Sequence, residues 1–236
     1  MNAVITGASM GIGYNLALKL ANLGFDLYLT YCNNQEKILT LKEKIETETK
    51  VKCYINKLDL QDEKNIIEVS NDIKSKFKNI NILVNNASIS NDNLFLDKTK
   101  NEFMQVLEVN VVGTFLITKY LVSNIKDFVI NMSSTDGIDT YSVYNLDYAI
   151  SKSAIIQLTK SMALIFNNFK TIVVAPNWVD TESTREMDKT YLESELRRIK
   201  QKKLISVDTV TNKIIEVIIF LITITIILTI LEYLGG

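Results

Sequence analysis

The sequence predicts an α/β fold, a doubly wound parallel sheet of about seven strands in a three-layer α/β/α sandwich. Two observations predict it. Short apolar runs alternate with helical patterns along the 236 residues, and such alternation requires right-handed crossovers between parallel strands. Several runs, such as Ile82–Val84, are wholly apolar, as expected of strands covered on both faces. No proline- or glycine-rich linker divides the chain, so we expect one domain over residues 1–236.

The elements follow one another in order. Apolar and β-branched runs predict six strands near Ala3–Thr6, Phe25–Thr30, Val51–Ile55, Ile80–Val84, Phe128–Asn131 and Thr171–Ala175. Helical periodicity predicts helices at Ile12–Leu23, Gln35–Lys50, Glu63–Phe77, Asn101–Asn124 and Tyr144–Phe166. The charged stretch 178–203 follows the sixth strand, and its charge pattern is typical of a solvated helix.

The apolar run Ile214–Leu231 allows two interpretations. It is the end of an amphipathic helix, Val207–Leu221, followed by a seventh strand at Ile222–Leu231, which its density of β-branched residues favours. Alternatively it is a membrane anchor, but the uncharged part starts only at Val217 and falls short of the ~20 residues that span a bilayer. The sequence therefore favours a strand and no membrane contact.

The composition excludes several classes of function. Because the chain has no histidine, it has no Ser-His-Asp triad and no His-ligated metal. Its two cysteines cannot form a four-thiolate zinc site, so we expect no metal. A formal net charge of −1 argues against nucleic acid as a partner. A glycine turn already begins at Gly7, which leaves no room for a targeting peptide and predicts a cytoplasmic protein.

Three glycines follow the first strand, in the segment Thr6–Gly13. A phosphate-binding turn needs backbone without side-chain bulk and a helix N-terminus facing the anion. Gly7 suits the tight turn, Gly11 the close approach of backbone to phosphate, and Gly13 close packing of helix on strand. A plain strand-to-helix turn needs only one glycine, so the segment predicts dinucleotide binding.

A second motif places Tyr148 and Lys152 four residues apart, on one face of a helix. A neighbouring ammonium favours the phenolate and is expected to lower the tyrosine pKa, which makes Tyr148 a candidate acid and base. On the pair alone, an ordinary surface contact between Tyr148 and Lys152 is the better explanation. Ser134, just after the fifth predicted strand, adds a hydroxyl at the same edge of the sheet.

With these motifs the sequence resembles the short-chain dehydrogenase/reductase family over almost its whole length. The matching elements, in family order, are the glycine turn, Leu58-Asp59-Leu60, Asn85-Asn86-Ala87, Asn110, Ser134, Tyr148-x-x-x-Lys152, Ala175-Pro176 and Gly235-Gly236. The resemblance implies a Rossmann-type fold and an NAD(P)-dependent oxidoreductase acting on a carbonyl or alcohol. The pattern is most similar to 3-oxoacyl-[acyl carrier protein] reductases of fatty acid biosynthesis. A sugar or polyol dehydrogenase, or a non-catalytic dinucleotide-binding regulator, remains an alternative.

The resemblance also implies roles for residues. Tyr148 is the general acid, Lys152 binds the nicotinamide ribose, Ser134 polarises the substrate oxygen and Asn110 holds a water of the proton relay. The implied cofactor contacts are Gly7, Ser9, Gly11, Ile12, Gly13, Asn33, Asp59, Asn86, Ala87, Tyr148, Lys152, Pro176, Val179 and Thr181. The stretch 178–203 is implied to be the substrate lid.

The end of the second predicted strand bears on the choice of cofactor. NAD enzymes of this fold place an acid there to bind the adenosine ribose, whereas the segment Tyr31–Asn34 contains none. This absence favours NADP, with NAD possible. The two long helices Asn101–Asn124 and Tyr144–Phe166 carry apolar residues beyond a single stripe and so need cover on more than one side. This is compatible with the family's habit of forming homodimers or homotetramers through these helices.

Overall fold

A computed structural model describes residues 1–235, with the side-chain surroundings of residues 1–223. The strands are β1 (Asn2–Ile5), β2 (Asp26–Tyr31), β3 (Cys53–Lys57), β4 (Ile80–Asn85), β5 (Ile125–Met132) and β6 (Lys170–Val174). The α-helices are α1 (Gly11–Asn22), α2 (Gln35–Glu48), α3 (Glu63–Lys76), α4 (Lys100–Leu107), α5 (Thr114–Leu121), α6 (Leu146–Ile165), α7 (Glu182–Arg185), α8 (Lys189–Arg198) and α9 (Val207–Gly235). A π-helical turn, Glu108–Gly113, joins α4 to α5.

The six strands form one parallel sheet in the order β3-β2-β1-β4-β5-β6. The chain builds outward from β1 through β2 and β3, then returns to place β4 on the other side of β1. Val4 is in register with Leu83 across that boundary. In doubly wound sheets, ligands bind outside the carboxyl ends of the strands where the order reverses. The topology thus assigns the functional cleft to the ends of β1 and β4.

Two buried apolar clusters cover the faces of the sheet, because successive residues of a strand point to opposite sides. Ile5 belongs to the cluster beneath α1, α2 and α9, whereas its neighbour Val4 belongs to the cluster beneath α3 and α5. The predicted three-layer sandwich with a doubly wound parallel sheet is therefore confirmed.

The predicted seventh strand is wrong. Residues Ile222–Leu231 lie inside α9, and the sheet of the described chain has six strands. Val210, Ile214 and Ile218 recur every four residues and are buried against the first cluster, so the helix is fixed by packing over its first turns. Since neither glycine nor proline interrupts the chain between residues 207 and 234, the helix continues through the β-branched run.

Within the described part of the chain, one helical run, Lys100–Asn124, is long and apolar enough to cross a bilayer by length and composition. This run includes α4 and α5, and 44% of its most apolar stretch is buried inside the molecule. Core helices of globular domains pass the same test, so this run is weak support for a membrane span.

Candidate functional site

In the glycine turn between β1 and α1, the backbone conformation and the close packing leave no room for side chains. Gly7 and Gly11 have positive φ angles of 63° and 58°, which L-residues with a side chain rarely adopt. A Cβ on Gly7 would lie 2.8 Å from the Cα of Ala87, and one on Gly13 would lie 2.6 Å from the Nδ2 of Asn86. The turn therefore presses directly on the residues that follow β4.

Hydrogen bonds fasten this turn to the end of β4. The Thr6 hydroxyl accepts from the backbone N–H groups of Asn86 and Ala87 at 3.0 and 3.1 Å. The Asn86 side chain donates to the carbonyls of Thr6 and Gly7 at 3.0 and 2.8 Å. Because these bonds satisfy the carbonyls of the turn, the sharp backbone path is held without any ligand contact.

The catalytic candidates meet at the ends of β5 and α6. Ser134 follows β5, and it lines the same end of the cleft as Tyr148, close enough for its hydroxyl to act on the pKa of the phenol. The Lys152 side chain is buried; its Nζ donates to the carbonyl of Met132 at 2.9 Å and lies 5.2 Å from the centre of the Tyr148 ring. The predicted Ser-Tyr-Lys group is thus assembled in space, facing the cleft.

The pKa values of this group differ from expectation. Burial, followed by the negative charge of Asp136, raises the pKa of Tyr148, while the Ser134 hydroxyl acts in the opposite direction. Burial lowers the pKa of Lys152 to about 8, against the opposing effect of Asp136. The expected lowering of the Tyr148 pKa by Lys152 is therefore wrong: burial and the charge of Asp136 raise it. The phenol stays protonated at neutral pH.

Asn110 lies in the π-helical turn, a local widening that often marks functional sites. Its side chain is fully committed: Oδ1 accepts from the N–H of Ile89 at 2.8 Å, and Nδ2 donates to the Ile89 carbonyl and to the Ser151 hydroxyl at 2.9 Å each. These bonds tie the segment after β4 to α6. The role of holding a water remains a prediction for this residue.

A cleft of about 880 Å³ runs from the glycine turn to the catalytic group. It brings together the predicted residues Gly7, Ser9, Gly11, Ile12, Asn33, Asp59, Asn86, Ala87, Ser134, Tyr148, Lys152, Pro176, Val179 and Thr181. Two predicted residues do not line it: Gly13 packs behind the turn against Asn86, and Asn110 lies behind Ile89. The elongated, glycine-floored cleft fits a dinucleotide.

Sequence reasoning missed the carboxylates at the catalytic end. Asp92 and Asp136 line the cleft there, and the charge of each acts on Tyr148. The Asp136 carboxylate accepts from Thr140 and Asn145 at 3.1 Å each. Asp136 falls two residues after Ser134, where an aspartate reads as an ordinary turn residue, so only the fold shows its position. Asp92 and Asn145 carry no local signal either.

The stretch expected to be a lid contributes α7 and α8 to one side of the cleft. Lys37 of α2 forms an ion pair with Glu182 of α7. In α8, the Tyr191 hydroxyl lies 3.0 Å from that of Ser142, and Arg198 donates to the Thr140 carbonyl at 2.8 Å. The stretch is thus attached at both ends of the cleft.

A search of the described residues finds no group of three or more His, Cys, Asp or Glu side chains placed to hold a metal ion. Among the described residues that line the cleft, Lys152 is the only basic one, and the acidic ones are Asp59, Asp92 and Asp136. The polar groups available in the cleft therefore include hydroxyls, carboxylates, side-chain and backbone amides, and one ammonium.

Comparisons with known proteins agree with this geometry. Residues 1–192 match the model of the family described as short chain dehydrogenase. The chain is 32% identical over 188 residues to the 3-oxoacyl-[acyl-carrier-protein] reductase FabG of Aquifex aeolicus, which covers 77% of this chain and 75% of the relative. It is 30% identical over 202 residues to FabG of Thermotoga maritima, with 83% and 81% covered.

Solved structures share the fold. A short chain dehydrogenase from Burkholderia cenocepacia in complex with NADP superposes with a TM-score of 0.85 at 23% identity, over 92% of this chain and 89% of that one. A short chain dehydrogenase/reductase from Burkholderia phymatum in complex with NAD gives a TM-score of 0.81 at 19% identity, over 93% and 86%. At these identities the likeness concerns the fold.

Proposed function

The chain belongs to the short-chain dehydrogenase/reductase family of NAD(P)-dependent oxidoreductases, and we propose that it reduces the 3-keto group of an acyl thioester with NADPH. The observation that carries the proposal is the meeting of Ser134, Tyr148 and Lys152 at one end of a glycine-floored cleft. The relatives named 3-oxoacyl-[acyl-carrier-protein] reductase support the substrate class.

The catalytic group supplies a proton and holds the substrate oxygen. When bound, the nicotinamide supplies the hydride. The Ser134 hydroxyl donates a hydrogen bond to the carbonyl oxygen and fixes it beside Tyr148. Because burial and Asp136 raise the pKa of Tyr148, the phenol is protonated at neutral pH and acts as general acid to the oxygen as it becomes an alcohol. Lys152, with a pKa of about 8, is mostly charged there and stabilises the phenolate left behind.

The remaining predicted residues would hold the dinucleotide. The N-terminus of α1, with the bare backbone at Gly7 and Gly11, suits the pyrophosphate. Asp59, Asn86 and Ala87, which line the cleft, would border the adenine and ribose, and Pro176, Val179 and Thr181, also in its lining, would border the nicotinamide. Ser9 and Ile12 complete the floor of the turn.

NADP is proposed over NAD because the segment at the end of β2, Tyr31–Asn34, contains no acid. Asn33, just beyond β2, lines the cleft where a carboxylate would repel a 2′-phosphate. Asn34, the next residue, adds a second uncharged donor. The B. cenocepacia neighbour in complex with NADP supports this choice, and the B. phymatum neighbour in complex with NAD shows the fold accepting either form.

The proposal extends to assembly and location. Met104 and Phe115 on the α4–α5 run, and Ile150, Leu164 and Ile165 on α6, expose apolar side chains. A homodimer or homotetramer that pairs these helices would cover them, which accords with the rarity of large exposed apolar patches. We place the enzyme in the cytoplasm, as one domain with the segment 178–203 as its substrate lid.

A second candidate substrate class is favoured by the charge of the catalytic end. Asp92 and Asp136 face the space beside Tyr148, and carboxylates accept hydrogen bonds from sugar or polyol hydroxyls. A thioester chain offers few such donors. A keto sugar is therefore the competing substrate.

The test is NADPH oxidation, followed by absorbance, with purified protein and a panel of 3-oxoacyl thioesters, diketones and keto sugars. We expect the highest kcat/KM with a 3-oxoacyl thioester. Preference for a keto sugar would select the second candidate. Tight NADPH binding without turnover of any member would leave a dinucleotide-binding regulator and overturn the proposal.

A further inference from the structure

A buried ion pair lies directly behind the catalytic phenol. The Nζ of Lys98 is 3.0 Å from Oδ2 of Asp147, and the exposed fractions of the two side chains are 4% and 0%. Lys98 belongs to the segment between β4 and α4, whereas Asp147 is in the first turn of α6, one residue before Tyr148. The pair therefore joins the two chain segments that enclose the catalytic end of the cleft.

Each partner is also bound to backbone on its own side. Lys98 Nζ donates to the carbonyl of Asn91, which lies between the cleft-lining residues Ser90 and Asp92. Asp147 Oδ1 accepts from the N–H of Tyr148 at 2.9 Å. Asp147 Oδ2 has no hydrogen-bond partner among the described residues, so the link between the two is the charge attraction itself. One unbroken path runs from the cleft wall to the backbone of Tyr148.

Joining two segments by a buried pair of charges costs desolvation free energy. The neighbouring links between these segments are made by neutral groups. The N–H of Asn93 donates to the Tyr144 carbonyl at 2.8 Å, and Asn110 already fastens Ile89. Replacing a buried ion pair by apolar residues is often neutral or stabilising. The pair is therefore not explained by stability alone, and its geometry points to placement of the phenol.

We propose that the Lys98–Asp147 ion pair positions Tyr148, by holding the cleft wall around residues 88–92 at a fixed distance from the phenol. This inference rests on the proposed function, in which substrate lies between that wall and Tyr148. Lys98 and Asp147 are positioning residues, because they act through the backbone of Asn91 and Tyr148 and do not touch the substrate. Misplacement of a reacting group by about 1 Å costs about a hundredfold in rate, so a loosened wall has a measurable effect.

The test compares Lys98→Met with Lys98→Arg, which keeps the charge and the donors. We expect Lys98→Met to lower kcat about tenfold to a hundredfold while the Kd for NADPH stays unchanged, and Lys98→Arg to retain most of the activity. Lys42→Met is the matched control, because Lys42 also donates to a backbone carbonyl, that of Cys53 at 2.8 Å, and pairs with an acid, Glu46 at 3.2 Å, far from the cleft. Equal kcat in Lys98→Met and wild type overturns the proposal.

Lys98→Met leaves an unpaired buried carboxylate, so a second variant guards against misfolding. Lys98→Met with Asp147→Asn removes both charges and keeps the acceptor for the Tyr148 N–H. If the pair positions Tyr148, the melting temperature recovers in this double variant but kcat stays low, since the tie to Asn91 is gone. Full recovery of kcat together with stability would reduce the pair to a structural role.

Amide hydrogen exchange gives a readout that needs no substrate. We expect peptides covering residues 88–99 to exchange faster in the double variant than in wild type, and peptides covering β3 to be unchanged. Unchanged exchange in residues 88–99 would also overturn the proposal. Failure of wild type to reduce any carbonyl, with exchange accelerated as expected, would instead count against the proposed function alone.

Discussion

The two ends of the cleft are built by different means. At the glycine end, bare backbone at Gly7 and Gly11 forms the floor, and neutral hydrogen bonds that Asn86 donates to the Thr6 hydroxyl and the Gly7 carbonyl fasten it. At the catalytic end, charged side chains from three segments converge around the half-buried phenol of Tyr148. The glycine end makes room for a ligand by excluding side chains. The catalytic end instead brings together side chains whose pKa values are shifted.

The difference shows where each end is vulnerable. A turn whose glycines have no room for a Cβ fails sterically, and such failure lowers stability and binding together. A substitution in a group of buried charges acts electrostatically. Here activity and stability oppose each other, because function requires charges whose desolvation lowers stability. Variants at the two ends should therefore separate into distinct phenotypes.

The largest expected effect is at the catalytic end. Tyr148→Phe removes the proton donor but keeps the ring, so we expect turnover to fall about 10³-fold, within the range of general acid catalysis, while NADPH affinity is unchanged. NADPH oxidation and fluorescence titration measure the two. Tyr120→Phe is the control, since that phenol donates to Glu63 at 2.6 Å on the surface. Turnover within tenfold of wild type would remove Tyr148 from catalysis.

At the glycine end, Gly7→Ala should cost stability and binding together. The substitution combines a positive φ with a Cβ 2.8 Å from the Cα of Ala87, so we expect a loss of about 3 kcal/mol in the free energy of unfolding. Gly24→Ala is the matched control: its φ of 83° is also positive but no atom lies within 4 Å of the added Cβ, and it should cost only about 1 kcal/mol. Urea denaturation at constant m-value decides; equal losses would show that the close contact with Ala87 is unimportant.

Lys152→Met should change activity and stability in opposite directions: we expect turnover to be abolished and stability to rise. Burial lowers the pKa of Lys152 to about 8 from about 10.4 in an unfolded chain. Between these values the unfolded chain binds more protons, so wild-type stability rises with pH across that window, and below pH 8 the full penalty is present. We expect the variant to gain about 2 kcal/mol at pH 7, after loss of the bond to Met132, and to lose that advantage near pH 10. Urea denaturation at both pH values measures it, with Lys42→Met as control; an equal change at both pH values would contradict the buried charge.

Most of the fold could be predicted because local pattern and tertiary structure agree. Apolar runs such as β4 and the helical periods between them predicted the alternation of strands and helices along the chain, and the glycine spacing predicted the turn after β1. The prediction failed at Ile222–Leu231, where β-branched residues favour a strand but the helix begun at Val207 meets no breaker. The strand propensity of β-branched residues has little influence where a packed helix can continue through them.

The motif residues of the candidate site could be predicted from the sequence, whereas the charged residues around them could not. Tyr148, Lys152 and Ser134 follow local spacing, whereas only the folded chain brings the charge of Asp136 close enough to act on Tyr148. Lys98 and Asp147 are far apart in sequence and carry no shared pattern. The direction of the Tyr148 pKa could not be predicted either, because spacing shows the ammonium but does not show how deeply the phenol is buried.

The smallest expected effect returns to the glycine end, where a charge introduced beside the bare backbone should change selectivity and little else. Asn33→Asp places a carboxylate where the 2′-phosphate of NADP would lie, so we expect the ratio of kcat/KM for NADPH over NADH to fall about tenfold, equivalent to about 1.4 kcal/mol. Asn79→Asp is the control, because it adds the same charge at an exposed position just before β4, at the opposite edge of the sheet. Electrostatic repulsion is screened by salt, so the change in ratio should shrink as ionic strength rises. A ratio that is unaltered at low salt would show that the adenosine ribose lies elsewhere, and the contrast between a backbone-built end and a charge-built end would then lose its account of cofactor choice.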